Sequence, residues 1–138
     1  MSAGSSHSLA LDIVGTKLYA WGRSDYGTIG HTTSIRAGDV ERDPVLISFP
    51  RSMEGLPIKD IVAGGNVSMA ITEKNEIYTW GFGEEGAPGH AGISDILKPK
   101  KLDVLRKYRT SDAKKKSYHV LDAAAGGQHS LMIIKEFL

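Results

Sequence analysis

The residues of this chain best suited to proton transfer or nucleophilic attack are two His–Ser pairs, His7–Ser8 and His129–Ser130. A serine nucleophile needs a partnered histidine and a carboxylate that orients it. Neither Ser6 nor Ser8, Ser68 or Ser130 has such a set at any readable spacing. Both pairs also sit in one recurring string: "AGSSHSLAL" from Ala3, "AGGNVSMAI" from Ala63 and "AGGQHSLMI" from Ala125. The middle copy carries Val67 at the histidine position, so chemistry at that position is not expected. His7 and His129 are read instead as packed histidines bonded to their neighbouring turns, as buried polar groups are. His31 and His90 close a second recurring string and are read as turn residues at a rim. Asp25 and Glu84 match each other there and are read as turn caps. Metal binding requires converging ligands; the chain has no cysteine and no His/Asp/Glu cluster, so no metal site is expected.

The second string raises a different chemistry. "AWGRSDYGTIGH", residues 20 to 31, follows a strand-like run with glycines at 22, 27 and 30. A phosphate loop needs Lys-Ser or Lys-Thr after its glycines, and a dinucleotide fingerprint needs Gly-x-Gly-x-x-Gly opening a helix. Neither is present. No cofactor and no small-molecule substrate are expected, and the chain is read as a non-enzyme.

The elements that hold these residues repeat. Tyr19, Trp21, Gly22, Gly27, Gly30 and His31 return as Tyr78, Trp80, Gly81, Gly86, Gly89 and His90, each 59 positions later. The Ala-Gly strings recur at offsets of 60 and 62. Self-similarity at a fixed period is the mark of a repeat architecture. Short apolar or alternating runs predict strands at His7–Asp12, Leu18–Trp21, Val45–Phe49, Ile58–Val62, Ser68–Thr72, Ile77–Trp80, Val120–Ala124 and Ser130–Ile134. Four strands per unit is the count of a propeller blade. Only the stretch from Ile93 to Arg109 reads as a possible short helix. The tryptophans and glycines are structural on this reading: glycine permits positive φ and close approach of neighbouring strands. Trp21 and Trp80 are expected in matching surroundings where blades pack.

Charge is unevenly spread. Between Lys98 and Lys116 there are nine Lys or Arg against Asp103 and Asp112, in a chain of net charge +1. This predicts a basic insertion loop over about residues 98–117, with Lys114, Lys115 and Lys116 as the candidate contact to chromatin or nucleic acid. No run reaches membrane-spanning length and the N-terminus lacks a signal-peptide pattern. A soluble, nuclear or cytoplasmic protein with no membrane partner is expected.

The pairing of "AGGQHSLMI" with "YAWGRSDYGTIGH" resembles the regulator of chromosome condensation repeat over nearly the whole chain. The resemblance implies an all-β fold: about two four-stranded antiparallel blades of a seven-bladed β-propeller. Residues 1–138 would form a partial propeller, with repeat signatures at 3–31, 63–90 and 125–134. A full ring of such units needs about three times this length, so the chain is expected to be part of one. The match is strongest to the C-terminal repeats of the family's guanine nucleotide exchange factors for the small GTPase Ran. It implies exchange by stabilising the nucleotide-free GTPase, with a wedge on the nucleotide site supplied by an earlier blade. The alternative it implies is a protein-interaction module without exchange activity. The turns just before the repeat histidine would face the partner: Ser5 and Ser6, Gly65 and Asn66, Gly127 and Gln128. Ser6 stands where the resemblance implies a functional histidine.

Overall fold

A computed structural model describes residues 1–31, 38–53, 55–103 and 117–137. The described residues form three antiparallel sheets and two 3-10 turns. The first sheet runs β1 (Ser2–Ala3), β2 (His7–Leu11), β3 (Leu18–Arg23), β4 (Val40–Leu46). The second repeats it with β5 (Ile58–Ala63), β6 (Val67–Thr72), β7 (Ile77–Gly81) and β8 (Ile96–Lys101). The third is the hairpin β9 (Ser117–Ala125) and β10 (Ser130–Phe137). Sequential strands paired in order are what a propeller blade requires. This is the all-β, open arrangement the repeats predict.

The register repeats with the sequence. His7 faces Gly22 and Ser8 faces Trp21; Val67 faces Gly81 and Ser68 faces Trp80. In each full sheet the pairing to the outer strand slips at the tryptophan, between Ala20 and Gly22 and between Thr79 and Gly81. The glycine after each tryptophan absorbs the bend, at φ 108 for Gly22 and 112 for Gly81. A Cβ there would lie 2.6 Å from Ser6 O and 2.3 Å from Asn66 O respectively. Only glycine suits the site. The outer strands β4 and β8 carry Pro44 and Pro99, a residue tolerated where one edge of a strand is unpaired.

Two apolar clusters seal the seams. Between the first and second sheets lie Leu9, Leu18, Ile29, Ile47, Met53, Ile61, Tyr78 and Trp80 among others. Between the second sheet and the hairpin lie Met69, Ile71, Ile77 and Val120. Leu121, Leu131 and Ile133 on the hairpin remain exposed.

Four expectations need correction. The strand foreseen at Val45–Phe49 is Val40–Leu46, because its N-terminal half, "VERDP", is polar enough to read as loop. Residues Ile96–Lys101 form β8, where a short helix or the start of a basic loop was expected. An edge strand keeps its lysines in water, so apolar patterning does not reveal it. The rest of the basic run, including Lys114, Lys115 and Lys116, lies outside the described residues. The two tryptophans, although at equivalent register, sit in unlike surroundings: Trp80 is fully buried and Trp21 only half-buried. Trp80 packs into the seam with the preceding sheet, whereas no described sheet precedes Trp21. Finally, His129 is exposed, since no described sheet follows the hairpin to cover it.

Candidate functional site

Strand direction decides which loops share an end of the molecule. The β1–β2, β5–β6 and β9–β10 turns and the β3–β4 and β7–β8 loops all emerge on one side, because each strand reverses the one before it. Backbone bonds set the three short turns side by side. Ser5 N–H donates to Gly64 O at 3.2 Å, and Gly65 N–H donates to Gly126 O at 2.8 Å. The carbonyls of Ser6 and Asn66 each accept a 2.8 Å bond, from Arg23 N–H and Phe82 N–H.

The turns are therefore fixed in backbone while their polar side chains stay available. Ser5, Gly127 and Gln128 are exposed and Ser6 and Asn66 half-exposed. Gly65 departs from its expected role. It is buried, and a Cβ on it would meet Gly127 Cα at 2.7 Å. It acts as a spacer that lets the turns stack rather than as a contact residue.

Beneath this face His7, Ser68, Thr28 and Trp80 form a buried network. The Ser68 hydroxyl donates to Thr28 O at 2.8 Å, and Trp80 Nε1–H donates to the same carbonyl at 2.9 Å. With the serine proton so directed, His7 Nε2–H donates to Ser68 Oγ at 2.7 Å. Nδ1 is then the bare ring nitrogen, buried and without a partner. A proton there would place a charge in apolar surroundings, and burial accordingly pulls His7 down to about 4. His7 thus bonds the next sheet rather than its own turn, and its environment suits packing, not proton transfer. Gly30 packs against Trp80 at φ 80, where a Cβ would come within 2.6 Å of Nε1.

The remaining candidates take structural places. His90 Nε2 lies 2.9 Å from Thr79 Oγ1, and burial lowers its pKa, helped by the charge of Lys100. His31 lies 3.9 Å from Glu41. Asp25 is buried, pairs with Arg23 and accepts Gly38 N–H at 2.7 Å, so it does hold its loop. In the second unit that service comes from Asp95, which accepts Gly83 N–H at 2.9 Å, while Glu84 is exposed. Gly27 seats its turn against Leu97, Gly89 lies beside Leu102, and Gly86 has no neighbour near its Cβ position. Among the described residues, no three His, Asp or Glu side chains converge to hold a metal ion. No helix there is long and apolar enough to cross a membrane.

Two residues of this face escape sequence reasoning. Tyr26 and Phe82 meet edge-on at 4.8 Å, one from each full sheet's loop. Their only trace in the repeat is a pair of mismatches, since position 85 holds glutamate where the first unit has Tyr26, and position 23 holds arginine where the second has Phe82.

A family model described as the regulator of chromosome condensation (RCC1) repeat matches residues 17–71 and 74–133. The chain belongs to the RCC1-repeat family. Among curated relatives, human E3 ubiquitin-protein ligase HERC2 is 34% identical over 112 residues, covering 81% of this chain and 2% of that protein. Protein RCC1 of Candida albicans is 34% identical over 140 residues, covering 95% of this chain and 27% of that protein. Among solved structures, Prp20p of Saccharomyces cerevisiae superposes with a TM-score of 0.71 at 23% identity, over 95% of this chain and 29% of that one. Human WBSCR16 does so at 0.70 and 22%, over 96% and 30%. These structural likenesses bear on the fold. The chain spans under a third of each of these proteins, so it holds a portion of an RCC1-type propeller architecture.

Proposed function

We propose that this RCC1-repeat chain supplies part of the GTPase-facing surface of a guanine nucleotide exchange factor for Ran. The observation that carries the reading is the row of three turns at one end, with Ser5, Ser6, Asn66, Gly127 and Gln128 open to solvent on a hydrogen-bonded backbone. Loops from successive repeats presented together make a binding surface. The similarity to Protein RCC1 of Candida albicans supports the choice of partner, as does the fold of Prp20p, a protein described by its binding to Gsp1p and histones. Exchange on this reading uses no covalent chemistry. A surface that holds the nucleotide-free GTPase more tightly than the loaded form weakens nucleotide binding by the same factor. The basic run that starts in β8 is assigned to chromatin, a choice supported by the histone binding described for Prp20p, and a nuclear location follows from this reading.

A second reading, a propeller interaction module without exchange activity, is favoured by Ser6 standing where the resemblance implies a functional histidine. The breadth of relatives, from HERC2 to the ultraviolet-B receptor UVR8 of Arabidopsis thaliana, favours it too. Retention of the 138-residue chain on immobilised nucleotide-free Ran separates the two. The exchange reading expects retention that excess GDP reverses; the module reading expects none. Stopped-flow release of a fluorescent guanine nucleotide is expected to show only slow exchange, since the resemblance places the wedge in an earlier blade.

A further inference from the structure

Tyr26 is held at φ 60 and ψ 13, in the left-handed region that a bulky side chain seldom enters. Its neighbours prevent relaxation. Buried Asp25 is tied to Arg23 and Gly38 N–H, the Thr28 hydroxyl donates to Arg23 O at 2.7 Å, and Gly27 sits against Leu97 of β8. The result is a tyrosine 41% exposed as a residue, its ring resting on Phe82 at an interplanar angle of 67°. Phe82 is bonded through its N–H to Asn66 O, so the ring pair adjoins the middle turn of the proposed partner face. No hydrogen bond of the Tyr26 hydroxyl occurs among the described residues.

The repeat itself does not require this arrangement. The equivalent position in the second unit is Glu85, which does not adopt a positive φ. An outlier that the fold can do without, placed on a binding face, points to recognition. Glu84 and Glu85 are exposed on the loop that follows Phe82, with no ion pair among the described residues. An exposed tyrosine resting on Phe82, with carboxylates two and three residues further along that loop, suits a cationic side chain, which can stack on the ring and meet an acid. Aromatic anchors of this kind carry much of an interface's energy.

We propose that Tyr26 and Phe82 anchor the partner face, receiving an arginine or lysine side chain of the bound GTPase with Glu84 and Glu85 at the border. This rests on the Ran reading of that face. The test uses the full 138-residue chain on immobilised nucleotide-free Ran, with thermal unfolding of each variant measured in parallel. Tyr26→Gly removes the ring and, at φ 60, also removes the strain. Retention should weaken by about tenfold while the unfolding temperature holds or rises. Glu84→Gln with Glu85→Gln should weaken retention several-fold and flatten its salt dependence. If Tyr26→Gly binds like the wild type, or loses stability with binding unchanged, the ring is structural and the inference is overturned alone. If the wild-type chain is not retained at all, the Ran reading falls and takes this inference with it.

Discussion

The seam between the first and second sheets and the seam between the second sheet and the hairpin are built on one plan with different side chains. In both, a serine of the following unit donates to a carbonyl in the glycine loop of the preceding one: Ser68 to Thr28 O at 2.8 Å and Ser130 to Ala87 O at 2.7 Å. In both, the short turns are linked by a backbone bond. At the opposite end Ile58 N–H donates to Gly15 O at 2.7 Å, while Val120 N–H donates to the Asn75 side chain at 3.1 Å. What differs is the filling. The first seam has His7 and Trp80 around its serine. The second has Val67 at the histidine position and draws on Lys59, which bonds Asn75 Oδ1 at 2.7 Å and Val120 O at 3.0 Å. The period is thus carried by serine and backbone bonds, and each seam is free to vary its apolar and polar content.

The largest break in that comparison is at the tryptophans. Trp80→Ala removes a fully buried ring and the hydrogen bond to Thr28 O. About 3–5 kcal/mol of stability should be lost. Trp21→Ala removes a half-buried ring on the face with no described neighbour, and about 1–2 kcal/mol is expected from its smaller buried area. Urea unfolding of both variants reads the difference directly. Equal losses would mean that each tryptophan stabilises its own sheet, and that the seam adds nothing.

His7 sharpens the contrast through pH. Its folded pKa of about 4 lies below the ordinary 6.5, so the unfolded chain binds the proton more readily between those values. The stabilisation from keeping His7 neutral is complete above pH 6.5, declines as pH falls through the window, and is gone below about 4. A gap of one in pKa is worth roughly 1.4 kcal/mol, so the change is on the order of 3 kcal/mol. His7→Val copies the second seam's residue into the first and should remove this component from the stability–pH curve. An unchanged slope between pH 6.5 and 4 in that variant would assign the dependence to carboxylates instead.

Much of this plan is legible in the sequence because it is written twice. The offsets of 59 and 60 mark Trp80 against Trp21 and Ser68 against Ser8, and short apolar runs mark the inner strands. What a repeat cannot show is the neighbour. Trp21 and Trp80 are identical in pattern and differ only in whether a described sheet stands before them. His7 reads as bonded to its own turn, whereas its partner, Ser68, lies 61 positions away. The outer strand β8 is hidden because an edge needs no apolar alternation. Within the candidate face, the turns follow from the histidine string, but Tyr26 and Phe82 meet only through tertiary contact between two loops.

The shared serine provides a finer comparison. Ser68→Ala leaves His7 Nε2–H without an acceptor in a buried seam, and Thr28 O keeps only Trp80 as donor. Roughly 2 kcal/mol should be lost, the cost of an unsatisfied buried donor. Ser130→Ala removes one bond at a half-exposed serine whose seam has Val67 in place of the histidine, so no donor is orphaned and about 0.5–1 kcal/mol is expected. A double variant with His7→Val should bring the Ser68 cost down toward the Ser130 value. If the two costs differ just as much in that background, His7 is not the source of the difference.

A last contrast lies at the far end of the second seam, where a side chain does what backbone does in the first. Asn75 sits at φ 61, a conformation asparagine accepts more readily than most residues. Its Oδ1 receives both the Lys59 ammonium and Val120 N–H. Asn75→Gly keeps the turn free of strain and deletes the acceptor, so the loss isolates the inter-sheet bond. About 1 kcal/mol is expected, and amide exchange at Val120 should accelerate while that at Ile58, which relies on Gly15 O, stays unchanged. Asn75→Ala deletes the same acceptor and adds backbone strain, so it should cost about 1 kcal/mol more than the glycine variant. Should glycine cost as much as alanine, the strain at this position is negligible and Asn75 is selected for its amide alone. Faster exchange at Ile58 in either variant would show that the two seams open together, and that their separate chemistries do not make separate units.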